Sequence, residues 1–307
     1  MQGVLSGFFV IGVVVGVGYL LAALRVFGEQ TQLVFSKVSF YVAMPVLFVT
    51  MLAEDDIASV LSVDLVASLV SIGVVSLLWL GSVRLVWKLP VAETVVGTFA
   101  CAYVNAGNLG LPIATYVLDS PTRVVPVMLT QLLVLQPIGL AMLDLATGAR
   151  HRFTLRAFLG RFVRNPLTIA TFLGAALSVA EIAIPPLLRD PLDMIGATAV
   201  PMMLMAFGIS LRLGRRPDRS AGRILAWQSL LKLLVMPAVA WAFGRFVMHL
   251  GPADLLAVTV MAALPTAQNV VVISTTYGRG QQMARDTTFV TTLGSIATIL
   301  AIGTLLS

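Results

Sequence analysis

Asn105-Ala106-Gly107-Asn108-Leu109-Gly110-Leu111-Pro112 interrupts a long apolar run, and its reading decides the fold. Two asparagines and two glycines are poor helix formers. Pro112 lacks a backbone donor but suits the first turn of a new helix. The pattern predicts a half-helix up to about Tyr103, an extended crossing, and a second half-helix from about Leu111. A second interrupted run, Leu264-Pro265-Thr266-Ala267-Gln268-Asn269, predicts a break near Pro265 and a restart near Ala267.

Composition places these breaks in a membrane. The 307 residues are 58% hydrophobic and 11% charged. An ordinary soluble domain is about 45–50% apolar and about 25% charged. Too few charges remain to cover a soluble core of this size, which excludes a cytosolic enzyme, a nucleic-acid binder and a disordered chain. A single cysteine excludes a disulfide framework and a Cys-based metal site.

A membrane span needs about 20 mostly apolar residues. Ten candidates are predicted, at 3–24, 33–52, 65–86, 92–118, 124–146, 167–183, 192–213, 224–250, 255–277 and 287–306. The first has no basic n-region, carries Gly12 and Gly16 at GxxxG spacing, and reads as a retained helix. The loops after spans 1, 3, 5, 7 and 9, with adjacent helix ends, hold 16 of the 20 Lys and Arg residues. The positive-inside rule then places those loops in the cytoplasm of a multi-pass inner-membrane protein with both termini outside. The pI near 10 reflects charge facing anionic lipid rather than nucleic acid.

The basic connection at 147–166 separates five spans, residues 1–146, from five more, residues 167–307. Five is odd, so the halves run in opposite senses, as in inverted-repeat transporters. Matched breaks support the repeat. Pro45 interrupts span 2 and Pro201 interrupts span 7. Asn108 lies 63 positions after Pro45, and Pro265 lies 64 after Pro201. One proline in a membrane helix usually means only a packing kink. Four breaks paired across two halves are harder to attribute to chance.

Two half-helix N-termini meeting at the midplane each present free N–H groups and about half a positive charge. They make an anion site without a basic side chain. The opposing C-termini offer carbonyls, a candidate cation site. Asn105, Asn108, Gln268 and Asn269 donate and accept, which suits a carboxylate; singly, such residues are more often interhelical glue. With Gly110, Pro112, Pro265 and Lys232 they form the candidate substrate-binding set. Lys232 is the one basic residue well inside a span. It reads either as a ligand for a substrate carboxylate or replacement for a coupling cation, or as a structural charge that snorkels or pairs with Asp144.

The two quoted motifs, with Val270 and the later Tyr277-Gly278, resemble the auxin efflux carrier family, in its short bacterial permease form. The likeness implies a fold shared with bile-acid symporters and sodium/proton antiporters. It implies a scaffold of spans 1, 2, 6 and 7 and a moving core of spans 3–5 and 8–10. It also implies a homodimer, formed through the scaffold spans, and dicarboxylates or indole-type weak acids as substrates. Gln268-Asn269 is similar to the Gln-Asn pair of bile-acid symporters, which leaves open a sodium-coupled symporter of a larger organic acid.

The remaining polar residues carry less. Asp144 reads as an anchor at a helix end, Glu181 as interfacial, and Gln131 and Gln136 as helix–helix bonding groups. Met202, Met203 and Met205 read as packing, and His151 and His249 lack metal spacing. His151 to Val163 reads as an interfacial helix. No HExxH, intramembrane aspartate pair or Ser with a nearby His points to an enzyme. The expected function is therefore a secondary carrier of a small organic anion, without cofactor or metal, with sodium or proton as the open coupling ions. A non-transporting receptor is the other class, but it has no need of mirrored breaks.

Overall fold

The computed structural model describes residues 2–54, 57–148, 160, 164–214 and 222–306. Almost all of the interfacial helix expected at 151–163 lies outside them.

The described chain is helical, and its only β feature is one isolated bridge, between Val104 and Thr266. In order the helices are α1 (Gln2–Ala23), α2 (Glu29–Leu52), α3 (Ile57–Ser82), α4 (Val91–Ala102), α5 (Leu111–Tyr116) and α6 (Pro121–Thr147). There follow α7 (Pro166–Val179), α8 (Pro186–Leu213), α9 (Gly222–Phe246), α10 (Pro252–Ala262), α11 (Gln268–Tyr277) and α12 (Gln281–Leu306). Six stretches among these are long and apolar enough to cross a membrane: α2, residues 64–87 of α3 and its continuation, α6, α8, α9 and α12. Phe9–Ala23, α4, α7 and α10 are shorter apolar helices. Large apolar side chains point outward, among them Phe9, Leu77, Leu145, Phe172 and Leu187. An outward apolar belt and a multi-pass helical chain together define a membrane protein.

The prolines are accommodated by a repeated device. Proline cannot donate to the carbonyl four residues back, and its ring crowds that carbonyl. Here a five-residue π turn ends two residues before Pro45 (Ser39–Ala43), Pro112 (Ala106–Gly110), Pro137 (Gln131–Leu135) and Pro237 (Leu231–Val235). In each, the residue before the proline donates to the carbonyl five back, as Met236 does to Leu231. The widened turn absorbs the missing bond without ending the helix. Pro201 is handled differently: the helical pattern lapses at Thr198.

Two groups of helices pack by different means. α1, α2, α7 and α8 approach through small residues. A Cβ on Gly18 would lie 2.3 Å from the Met205 carbonyl oxygen, and one on Gly208 would lie 2.1 Å from that of Val15. The backbones of α1 and α8 thus touch directly, as expected where lipid gives no hydrophobic drive. Gly12 and Gly16, the GxxxG pair of the sequence, face open space instead. Spacing alone did not reveal which glycines face the partner helix. Just beyond the end of α2, Glu54 is tied by Arg189 to the first turn of α8, and the guanidinium holds its carboxyl below the usual carboxylate range. That pairing persists above the ordinary carboxylate pKa and is lost as pH falls through the depressed value.

The other helices are joined by polar contacts. Arg123 bridges Asp64 of α3 and Asp254 of α10. Trp227 Nε1 donates to Ser82 Oγ at 2.8 Å, joining α9 to α3, and the Tyr277 hydroxyl donates to Asp144 at 2.6 Å, joining α11 to α6. Asp144 is therefore engaged by Tyr277, not by Lys232.

Gly208→Ala is expected to lower the thermal stability of the detergent-solubilised protein by about 1–3 kcal/mol, because the new methyl overlaps a backbone carbonyl. Gly12→Ala, which meets nothing, is expected to leave the melting temperature unchanged.

Candidate functional site: the crossing of two interrupted helices

α4 ends at Ala102, and Tyr103 turns extended (φ −83°, ψ 107°). α10 ends at Ala262, and Ala267 is extended (φ −68°, ψ 142°) before α11 begins at Gln268. The two extended segments lie against each other in antiparallel sense. Asn105 N–H donates to the Pro265 carbonyl at 2.8 Å, and Ala267 N–H donates to the Tyr103 carbonyl at 3.0 Å. Each break thus satisfies the other's backbone where water is absent. Pro265 loses nothing here, because its carbonyl accepts and the pairing asks nothing of its nitrogen.

The crossing is anchored on both sides. The Thr266 amide donates to Thr291 Oγ1 of α12 at 3.1 Å, and its hydroxyl donates to the Ala100 carbonyl of α4 at 2.6 Å. Gln268 Nε2 donates to Ser210 Oγ of α8 at 3.0 Å, the polar tie from the crossing to the small-residue group of helices. The Tyr103 hydroxyl donates to Gln136 Oε1 at 3.1 Å.

The restart after the first break differs from the expectation. Helix resumes at Ala106, as a π turn, rather than at Leu111. Asn105 causes this: its side-chain oxygen accepts from the Asn108 amide at 3.3 Å, which caps the new helix five residues early. At the second break the restart is where the sequence placed it.

The eight candidate residues divide by environment. Gly110, Pro112 and Pro265 are buried and shape the crossing. A Cβ on Gly110 would press on Val124 at 2.9 Å and on Leu264 at 3.1 Å. Asn105 is 3% exposed, and its Nδ2 has no partner. Asn108 and Gln268 are partly exposed and Asn269 is exposed. Gln268 and Asn269 occupy the first positions of α11, where backbone N–H groups have no partner within the helix. Lys232 stands apart from these amides. It is fully buried in the π turn before Pro237, with Met236 Sδ 3.1 Å from its Nζ. It neither snorkels nor pairs with Asp144.

Sequence reasoning did not select Tyr103, Thr266, Thr291 or Ser210. Thr266 sits inside the quoted motif, and Thr287, Thr288, Thr291 and Thr292 form a hydroxyl face on α12 at helical spacing. Both signals were available in the sequence.

Helices broken and crossed within an apolar helical bundle define a membrane protein built to move a solute. The family described as "Membrane transport protein" matches residues 5–143 and 144–302. The chain belongs to this family, that of the auxin efflux carriers. A "Putative malonate transporter" of Rhizobium meliloti (strain 1021) is 28% identical over 289 residues, covering 92% of this chain and 89% of that protein. An "Uncharacterized transporter" of Methanothermobacter thermautotrophicus is 24% identical over 294 residues, covering 94% and 93% respectively.

Thr266→Val strands the Ala100 carbonyl in the crossing. It is expected to lower stability by about 1–3 kcal/mol in thermal melts, whereas Thr275→Val on the exposed face of α11 should have no effect.

Proposed function

We propose that the protein is a secondary transporter that carries a small organic anion, of the carboxylate class, by alternating access. One observation carries this reading: Asn105 Nδ2, buried and without an acceptor, at the start of a half-helix that crosses a second half-helix start. Unsatisfied buried donors at converging helix N-termini are matched by a negatively charged oxygen. Asn108, Gln268 and Asn269 supply further donors on the more open side. The malonate named for the Rhizobium relative is a small dicarboxylate and fits the same chemistry.

In this reading the ten predicted spans form two inverted five-helix repeats. Spans 4 and 9 are the broken rods α4–α5 and α10–α11. The helices joined by small residues act as scaffold and, as the resemblance implies, as the dimer surface. The helices joined by polar contacts move as a core. The Gln268–Ser210 bond crosses between the two groups, so it is made in one state and broken in the other. The basic loops face the cytoplasm, and both termini lie outside.

Purified protein in proteoliposomes tests the site. Asn108→Ala and Asn269→Ala are each expected to reduce carboxylate flux tenfold or more, since a hydrogen bond to a charged group is worth about 1.5–3 kcal/mol. Monodisperse elution would show that folding survives. Unchanged flux in both variants would count against the site.

A further inference from the structure

We infer that Lys232 sets the charge of the transported anion, favouring a dianion over a monoanion, and that it acts through its field rather than by touching the solute. The inference rests on the carrier reading above.

Lys232 lies at the depth of the crossing, as two independent routes show. Gln228 and Thr287 are joined by a hydrogen bond of 2.7 Å, which aligns α9 with α12. Lys232 is one turn beyond Gln228, and Thr291 is one turn beyond Thr287; Thr291 accepts the crossing amide of Thr266. From the other side, the π turn Leu231–Val235 that carries Lys232 packs against α4, whose last turn holds Ala100. The Ala100 carbonyl is bonded to Thr266.

Among the described residues, none answers the charge of Lys232 with an ion pair. Its hydrogen-bond partner is a thioether, a weak acceptor. Among the described residues, the carboxylates on the elements packed against α9 have other partners: Asp64 and Asp254 face Arg123, Asp286 faces Arg285, and Glu93, in the first turn of α4 at the far end from Ala100, faces Arg279 through Oε1 and keeps Oε2 buried without a hydrogen bond. Gln228, one turn before Lys232, keeps its Nε2 buried without an acceptor, and the hydroxyls of Ser229 on α9 and Thr288 on α12 are unpartnered. A positive charge among unmatched donors is completed by a solute that brings negative charge and oxygen acceptors. Water is excluded and screening is weak, so each added unit of substrate charge is felt strongly. A structural lysine would instead be paired, because an unpaired buried charge is costly in a membrane.

Competition against labelled malonate uptake in proteoliposomes decides the matter, with malonate and succinate set against their monomethyl esters at neutral pH. The esters keep the size and remove one charge. The wild type is expected to favour the diacids tenfold or more. Lys232→Gln should collapse that ratio toward one, and Lys232→Arg should retain it. A wild-type ratio near one, or a wild-type ratio preserved in Lys232→Gln, overturns the inference. The wild-type ratio alone can overturn it should Lys232→Gln fail to fold. Loss of uptake and of competition by every acid in the wild type would overturn the carrier reading itself.

Discussion

In a bilayer no water is available to a loose peptide group, and this constraint governs the whole molecule. An interrupted helix in hydrocarbon would leave several donors and acceptors bare, each at a cost of several kcal/mol. The chain resolves this by bringing two interruptions together. The Asn105–Pro265 and Tyr103–Ala267 bonds close the backbone of both, and Thr266 fastens the pair to α4 and α12. Neither break is stable without the other. The Thr291 hydroxyl on the polar face of α12 and the cap at Asn105 help keep that crossing in place.

What remains open at the crossing is as informative as what is closed. Backbone groups are matched there, while the Asn105 Nδ2 donor is left over, and at the same depth on α9 the ammonium of Lys232 has only a thioether beside it. A protein selected for stability alone would have filled these positions with apolar residues.

Much of this was legible in the sequence because the breaks use residues with hard conformational limits. Asparagine, glycine and proline at 105–112 and proline at 265 are poor in a helix interior, so both interruptions could be placed within a few residues, although 106–112 resumes as helix. Lys232 stood out because a charge inside a span is rare. The sequence did not give the register between helices. Gly12 and Gly16 had the spacing of a packing motif, yet Gly18 and Gly208 make the close approach, since rotation about the helix axis depends on partners distant in the chain. The early restart at Ala106 came from a side chain capping its own neighbour, which composition does not reveal. Thr266 and Thr291 were overlooked because a hydroxyl in a membrane helix usually bonds its own backbone.

The π turns before Pro45, Pro112, Pro137 and Pro237 each contain one residue more than a regular helix needs. Such a turn is an insertion that the helix has kept. Deleting a single residue from Leu231–Val235 would close the widened turn to a regular one and press the Pro237 ring against the carbonyl four residues before it. The length of this segment is thus as strictly held as its chemistry, and lineages of this protein should tolerate substitutions there far more readily than indels.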